Sequence, residues 1–278
     1  MENALKGQTV IITGITDASS LALSIAKECK KQGAQLLCTG LGRTVHHKNV
    51  SENGLAYLEK TYSDFVKTVQ TELGQEIKTY ALDVGIQESI DDFASLLKKE
   101  GISVNGLLHS IAMDKTIRQG KVKPIMEVTR DEFMDAMNIS AFSLLALTKA
   151  LYQHSLLQKK SSIIALSYLG AEKIASHPYK NIGMAKAALE RLVKELAWEL
   201  GKSDGIQVNA IRFSAYTASK AGGAIEGLAA AVAEAEEKSP LGNAVPQDLA
   251  DEVVYLLRKN NRITGEIRNV DGGYHIRG

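Results

Sequence analysis

Cysteine is scarce in this chain: its 278 residues include two, Cys29 and Cys38. Cys29 is expected on a helix and Cys38 on the following strand, and both read as small buried hydrophobes. An excess of one charge is also missing. Lys and Arg number 33 against 32 Asp and Glu, a formal net charge of +1, and no block of like charge stands out. That balance argues against nucleic acid or an anionic membrane surface as the main partner. No apolar run approaches the ~20 residues needed to span a bilayer. The opening MENALKGQTVIITG shows no basic segment followed by an apolar one, so a cytoplasmic location is the expectation. Repeats, Pro-rich linkers and low-complexity tracts are absent too. One domain over residues 1–278 is the simplest reading.

What is present is an alternation of short β-rich runs and longer helical patterns. The runs are Thr9–Thr13, Gln35–Thr39, Lys78–Leu82, Gly106–Ser110, Ser162–Ser167, Gln207–Ile211 and Glu266–Val270. Several are apolar throughout, as strands covered on both faces must be. Helical patterns cover Leu21–Gln32, Ile86–Glu100, Asp131–Leu156, Tyr179–Leu200 and Gln247–Lys259. Thr129 with Glu132 has the spacing of a capping box before the third of these. This order predicts an α/β fold: a Rossmann-like, doubly wound, parallel seven-stranded sheet with helices on both faces. Ligands of such sheets bind beyond the carboxyl ends of the strands. Two segments exceed the minimal pattern. Leu41–Gln75 is long, with a helix expected within Leu55–Leu73. The Ala/Gly/Glu-rich stretch of about residues 213–241 falls where a lid over a ligand would lie.

The G-x-G-x-x-G pattern is also missing. After the first run comes Thr13-Gly14-Ile15-Thr16-Asp17-Ala18-Ser19-Ser20-Leu21-Ala22. Gly14 permits the tight turn, Ser20 stands at a helix N-terminus suited to a pyrophosphate, and Ala22 allows close helix–strand packing. Taken alone, the loop reads equally as an ordinary turn with serine caps. No carboxylate ends the second run. Arg43 there suits the 2′-phosphate of NADPH and reads equally as a solvated surface residue. Asp83-Val84 follows the third run, where a side chain would reach adenine. Further on, Tyr179 and Lys186 are seven residues apart on a helical pattern and share a face. A phenol beside an ammonium suits proton transfer or stabilisation of an oxyanion.

Several segments in order resemble the bacterial enoyl-acyl-carrier-protein reductases of the short-chain dehydrogenase superfamily. They are Gly14/Ser20/Ala22, Asp83-Val84, His109-Ser110-Ile111, Ser167-Tyr168-Leu169-Gly170, Tyr179 with Lys186, Val208-Asn209-Ala210-Ile211, Ile263-Thr264-Gly265-Glu266 and Val270-Asp271-Gly272-Gly273. The likeness covers nearly the whole chain. It implies reduction of a trans-2-enoyl thioester on acyl carrier protein in the fatty acid elongation cycle, with NADH or NADPH and a homotetrameric assembly. Tyr179 would then hydrogen-bond the enolate oxygen, and Lys186 would hold the nicotinamide ribose. Tyr168 would line the catalytic pocket beside the ring. Gly14, Ser20, Leu21, Asp83, Val84 and Ile111 would contact the dinucleotide, with Leu41 on its adenosine side. Ketone-reducing relatives space the pair as Y-x3-K. The wider spacing here suits a thioester oxygen more distant from the carbon that receives hydride.

The chain also departs from that family. Where S-A-G-P usually follows V-N-A-I, it reads Arg212-Phe213-Ser214-Ala215-Tyr216-Thr217, and Thr217 is the expected contact to the nicotinamide amide. Ala112 and Asp114 replace a glycine and a small residue, which places Asp114 among the expected substrate contacts. These differences keep open a specialised reductase of another conjugated or carbonyl substrate. A cofactor-binding protein without catalysis is a further alternative.

Overall fold

The computed structural model describes residues 3–118, 120–174, 180–218, 225–259 and 261–277. Seven strands form a parallel sheet: β1 (Thr9–Thr13), β2 (Gln35–Gly40), β3 (Lys78–Ala81), β4 (Val104–His109), β7 (Leu157–Ser167), β8 (Gln207–Phe213) and β9 (Ile267–Val270). Their spatial order is β3-β2-β1-β4-β7-β8-β9, and every neighbouring pair runs parallel. The two-residue strands β5 (Ile117–Arg118) and β6 (Lys121–Val122) pair antiparallel, apart from this sheet.

Helices cover both faces. Ile11 and Leu107 point to the side of α3 (Gln87–Lys99), α5 (Ser143–Gln153) and α6 (Lys180–Asp204). Val10, Ile12 and Leu108 point to the side of α1 (Leu21–Lys31), α2 (Glu52–Leu73) and α8 (Pro246–Leu257). Burial on both faces leaves no place for polar alternation, which explains the unbroken apolar runs. Each buried Leu or Ile contributes roughly 1.5–3 kcal/mol through removal from water. A further helix, α7 (Leu228–Lys238), lies outside these two layers and packs against the β5–β6 hairpin. Cys29 and Cys38 are both buried, and burial pushes each thiol up to about 12.

The expected continuous helix over Asp131–Leu156 is corrected by the structure. The segment divides into α4 (Arg130–Met137), a π-turn at Asn138–Phe142 and α5. The start is as expected, with the Thr129–Glu132 capping box formed. The interruption has an identifiable cause in side-chain hydroxyls that engage backbone outside the regular ladder. Ser140 accepts from the Met113 amide at 2.9 Å and donates to the Met113 carbonyl at 3.2 Å. Ser143 donates to the Ile139 carbonyl at 2.7 Å.

Two further boundaries move. Helix α2 begins at Glu52, three residues before the expected start, because Ser51 accepts from the Gly54 amide at 3.2 Å and caps it. Strand β7 begins at Leu157 and not at Ser162. Its register with β4 jumps between Val104↔Leu157 and Gly106↔Ser162, and Lys160 in the bulge has φ 62°.

Candidate active site

The carboxyl ends of β1 and β4 meet where the strand order reverses, the usual ligand position in an open α/β sheet. Thr13 ties them together: its hydroxyl donates to the Leu108 carbonyl at 2.9 Å and accepts from the Ser110 amide at 3.1 Å. The chain leaves β1 through Gly14 at φ 86°, and a Cβ there would lie 1.8 Å from the Ser110 carbonyl oxygen. Only glycine fits that crossing. Above these ends opens a cavity of about 720 Å³.

The cavity is lined by Ser20 and Leu21 at the start of α1, Leu41 after β2, and Asp83 and Val84 after β3. Ile111, Tyr168, Lys186 and Ser214–Tyr216 line it as well. Ala231 and Ala235 of α7 also border it. Most of the residues expected to touch a dinucleotide are therefore brought to one continuous surface: Gly14, Ser20, Leu21, Leu41, Asp83, Val84, Ile111 and Lys186. Two expected contacts are not among the lining residues, Thr217 and Asp114. Asp114 is occupied locally. Its Oδ1 accepts from the Thr116 amide at 2.9 Å and hydroxyl at 2.6 Å, and from Asn181 Nδ2 at 3.4 Å. Tyr179 lies outside the described residues, immediately before the first residue of α6.

Lys186 lies on α6 and is 4% exposed, with Nζ donating to the Ile111 carbonyl at 2.9 Å. Burial pushes its ammonium down to about 7, with Glu190 one turn further along the helix acting in the opposite direction. The Tyr168 ring rests on the edge of the same helix. A Cβ on Gly170 would fall 2.4 Å from that ring, and one on Gly183 would fall 3.2 Å from its hydroxyl. Beneath them His109 is fully buried, with Nε2 at 2.7 Å from the Ser143 hydroxyl. Burial, with Lys186 adding to it, pushes the imidazole down to about 3, so it is neutral at ordinary pH.

Other partnerships were not visible in the sequence. The Tyr216 hydroxyl donates to the Ser19 carbonyl at 3.0 Å, and the Ser19 hydroxyl donates to the Ala218 carbonyl at 2.6 Å. The loop after β8 is thus fastened to the phosphate loop. The Asp83 carboxylate accepts from the Gly85 amide at 2.8 Å and sits 3.0 Å from His47 Nε2. Arg43 pairs with Glu59 at 2.6 Å and does not border the main cavity. Arg212 grips Glu190 through two hydrogen bonds. The replacement of S-A-G-P by Arg212–Thr217 marked this segment as unusual, but nothing local named the partners of Arg212 and Tyr216.

The residues present fit a nicotinamide dinucleotide. Gly14 forms a crossing with no room for a side chain, a helix N-terminus borders the cavity at Ser20 and Leu21, and the buried ammonium of Lys186 lines it too. The profile of the Enoyl-(Acyl carrier protein) reductase family matches residues 52–275. The chain belongs to this family. Among curated relatives, the enoyl-[acyl-carrier-protein] reductase [NADH] FabI of Bacillus cereus is 32% identical over 276 residues, spanning 99% of both chains. The FabI of Aquifex aeolicus is 33% identical, over 99% of this chain and 93% of its own. A crystal structure of the Bacillus cereus reductase with NADP+ and an indole naphthyridinone superposes with a TM-score of 0.85 at 30% identity, covering both chains completely. The Aquifex aeolicus reductase structure gives 0.83 at 31%, covering 99% of each chain. The fold expected for the enoyl reductase family is therefore the one observed.

Proposed function

We propose that this enoyl reductase family member reduces the trans-2 double bond of an enoyl thioester on acyl carrier protein, in the fatty acid elongation cycle. Family membership makes the chain an NAD(P)H-dependent oxidoreductase. The observation that carries the reading is the position of Lys186, a buried ammonium lining the same cavity as Gly14 and the start of α1. The bound cofactor supplies the hydride, which goes to the β-carbon.

The chain's own residues do the remaining work. Gly14, Ser20 and Leu21 hold the pyrophosphate, and Leu41, Asp83 and Val84 border the adenosine. Lys186 donates to the nicotinamide ribose and adds positive field where charge builds on the thioester oxygen. Tyr179 donates a hydrogen bond to that oxygen, and Tyr168 shapes the wall beside it. Helix α7 acts as the substrate lid; residues 219–224 of the expected lid lie outside the described residues. The amide contact passes from Thr217 to its neighbours Ser214–Tyr216, which do border the cavity.

Exposed Met134, Phe142, Tyr152, Met184 and Trp198 lie along α4, the π-turn, α5 and α6, and they fit burial in a homotetramer. No helix among the described residues is long and apolar enough to cross a membrane; the proposed role in fatty acid elongation is what supports a cytoplasmic location. Replacement of the family's S-A-G-P by the latched Arg212–Thr217 loop favours, as a second reading, a specialised conjugated or carbonyl substrate. The purified protein mixed with crotonyl thioester and each reduced cofactor in turn should consume the cofactor, read by absorbance. No consumption with either cofactor at high enzyme concentration removes the first reading.

A further inference from the structure

Lys186 and Glu190 are four residues apart on α6, the spacing at which a lysine and a glutamate normally pair along a helix. They do not pair here. Glu190 is held from the other side by Arg212 of β8, with Nε donating to Oε1 at 2.8 Å and Nη2 to Oε2 at 2.6 Å. The Ser167 hydroxyl at the end of β7 donates to the same Oε1 at 2.7 Å. The remaining Arg212 nitrogen, Nη1, donates to Glu172. Arg212 and Glu190 side chains are each 9% exposed, so water does little to screen the pair. A bidentate guanidinium holds a carboxylate in a fixed plane and direction, which a point charge does not.

We propose that Arg212 is a positioning residue for the cofactor-binding lysine: by taking both oxygens of Glu190 it denies that carboxylate to Lys186, which stays directed at the Ile111 carbonyl and the nicotinamide ribose. This rests on the role proposed above for Lys186. The arrangement has a consequence for protonation. Desolvation is the larger influence on Lys186 and holds the ammonium down at about 7, while the Glu190 charge acts in the opposite direction from within its pair with Arg212. Among the described residues, Glu172 is the further carboxylate held by Arg212. His109 faces Lys186 from β4 and is neutral at ordinary pH. Asp114 and Lys115 follow β4, with Lys115 paired to Asp135 of α4 at 2.5 Å. Tyr168 stands at the end of β7, Tyr179 precedes α6, and Asp271 and Tyr274 border the cavity after β9. The π-turn and α5 bring hydroxyls and amides, and Lys149 is the one ionisable side chain on α5 able to carry fixed charge.

The test is NADH binding measured by fluorescence titration across pH, with the thermal midpoint of each variant recorded alongside. Binding by wild type should weaken as pH rises past the Lys186 transition. In Arg212→Met the freed Glu190 turns to Lys186, so the transition should move up by about one pH unit or more, with binding weakened roughly tenfold where the lysine is drawn from its carbonyl. Glu190→Gln removes the carboxylate that raises Lys186 and leaves Arg212 paired with Glu172 alone, so the transition should move down. The double variant Arg212→Met/Glu190→Gln, which removes one charge of each sign, should place it between the two single variants, and Arg212→Lys should hold it near the wild-type position in part. Opposite shifts from the two single variants are not expected of residues that only stabilise the fold. A transition at the same pH in wild type and Glu190→Gln, both folded, overturns the proposal even if Arg212→Met does not fold. Failure of wild type to bind NADH at any pH instead overturns the cofactor reading itself.

Discussion

Beneath the cavity, Thr13, His109, Ser167, Lys186, Glu190 and Arg212 are all buried and nearly all hydrogen-bonded to residues distant in sequence. Above it, α7 rests on a small apolar cluster of Ile225, Leu228 and Ala231 against Ile117, Val122 and Ala215. The floor combines direction-dependent polar contacts with the edge of a continuous core. The cover has short side chains and little area to lose. A segment with few buried apolar contacts opens at lower free energy than the core. The two regions therefore suit different tasks: one holds a cofactor in register, and the other admits and releases a substrate.

The largest expected effect comes from disturbing the floor at its tightest point. Gly14→Ala places a Cβ 1.8 Å from the Ser110 oxygen at a positive φ, so the β1 turn or the end of β4 must shift. We expect a loss on the order of 3 kcal/mol in unfolding free energy, together with loss of detectable cofactor binding. Urea denaturation and NADH titration measure both. Ordinary stability with intact binding would mean that the crossing is not the fixed point described here.

A second effect separates floor from cover through pH. The His109 imidazole is held at about 3 against an ordinary 6.5, so in acid the unfolded chain takes up a proton that the folded chain refuses. Stability should be full above pH 6.5 and fall as pH decreases toward 3, by roughly 3–5 kcal/mol over the whole interval. Lys186, depressed to about 7 from an ordinary 10.5, acts in a different window: its share of stability is full above pH 10.5, falls as pH drops to about 7, and adds nothing to the slope below that. His109→Gln should lower stability at pH 7 by about 1–2 kcal/mol through imperfect packing and pairing with Ser143. It should also flatten the slope between pH 6.5 and 4. Parallel slopes for wild type and variant would sink the assignment of this titration to His109.

Much of the floor was legible in the sequence because its determinants are local. Apolar runs gave the strands, Gly14 and Ser20 gave the turn, and the helical pattern placed Lys186 on α6. The π-turn was not, because Ser140 and Ser143 read as ordinary helix residues until their partners at Met113 and His109 are known. The Arg212–Glu190 pair links residues 22 apart across a strand and a helix, and no periodicity carries such a contact. Asp114 illustrates the opposite error: its position beside the pocket was readable, but not the Thr116 donors that occupy its Oδ1.

The smallest effect on global stability should come from the cover, and that makes it the sharpest test of the contrast. Leu228 is 1% exposed, yet among the described residues its cluster contains three buried ones. A buried Leu→Ala change in a main core costs about 2–5 kcal/mol. Leu228→Ala should take that cost from the local opening equilibrium of α7 instead. The main sheet can unfold only after the cover has already opened, so the thermal midpoint should move by no more than about 2 °C. Hydrogen exchange in peptides covering 228–238 should accelerate at least tenfold, while β1 and β4 remain protected. Because α7 borders the cavity through Ala231 and Ala235, KM for the enoyl thioester should rise more than kcat falls. A midpoint lowered as far as by Gly14→Ala, with exchange accelerated across the sheet, would show that floor and cover form one cooperative unit.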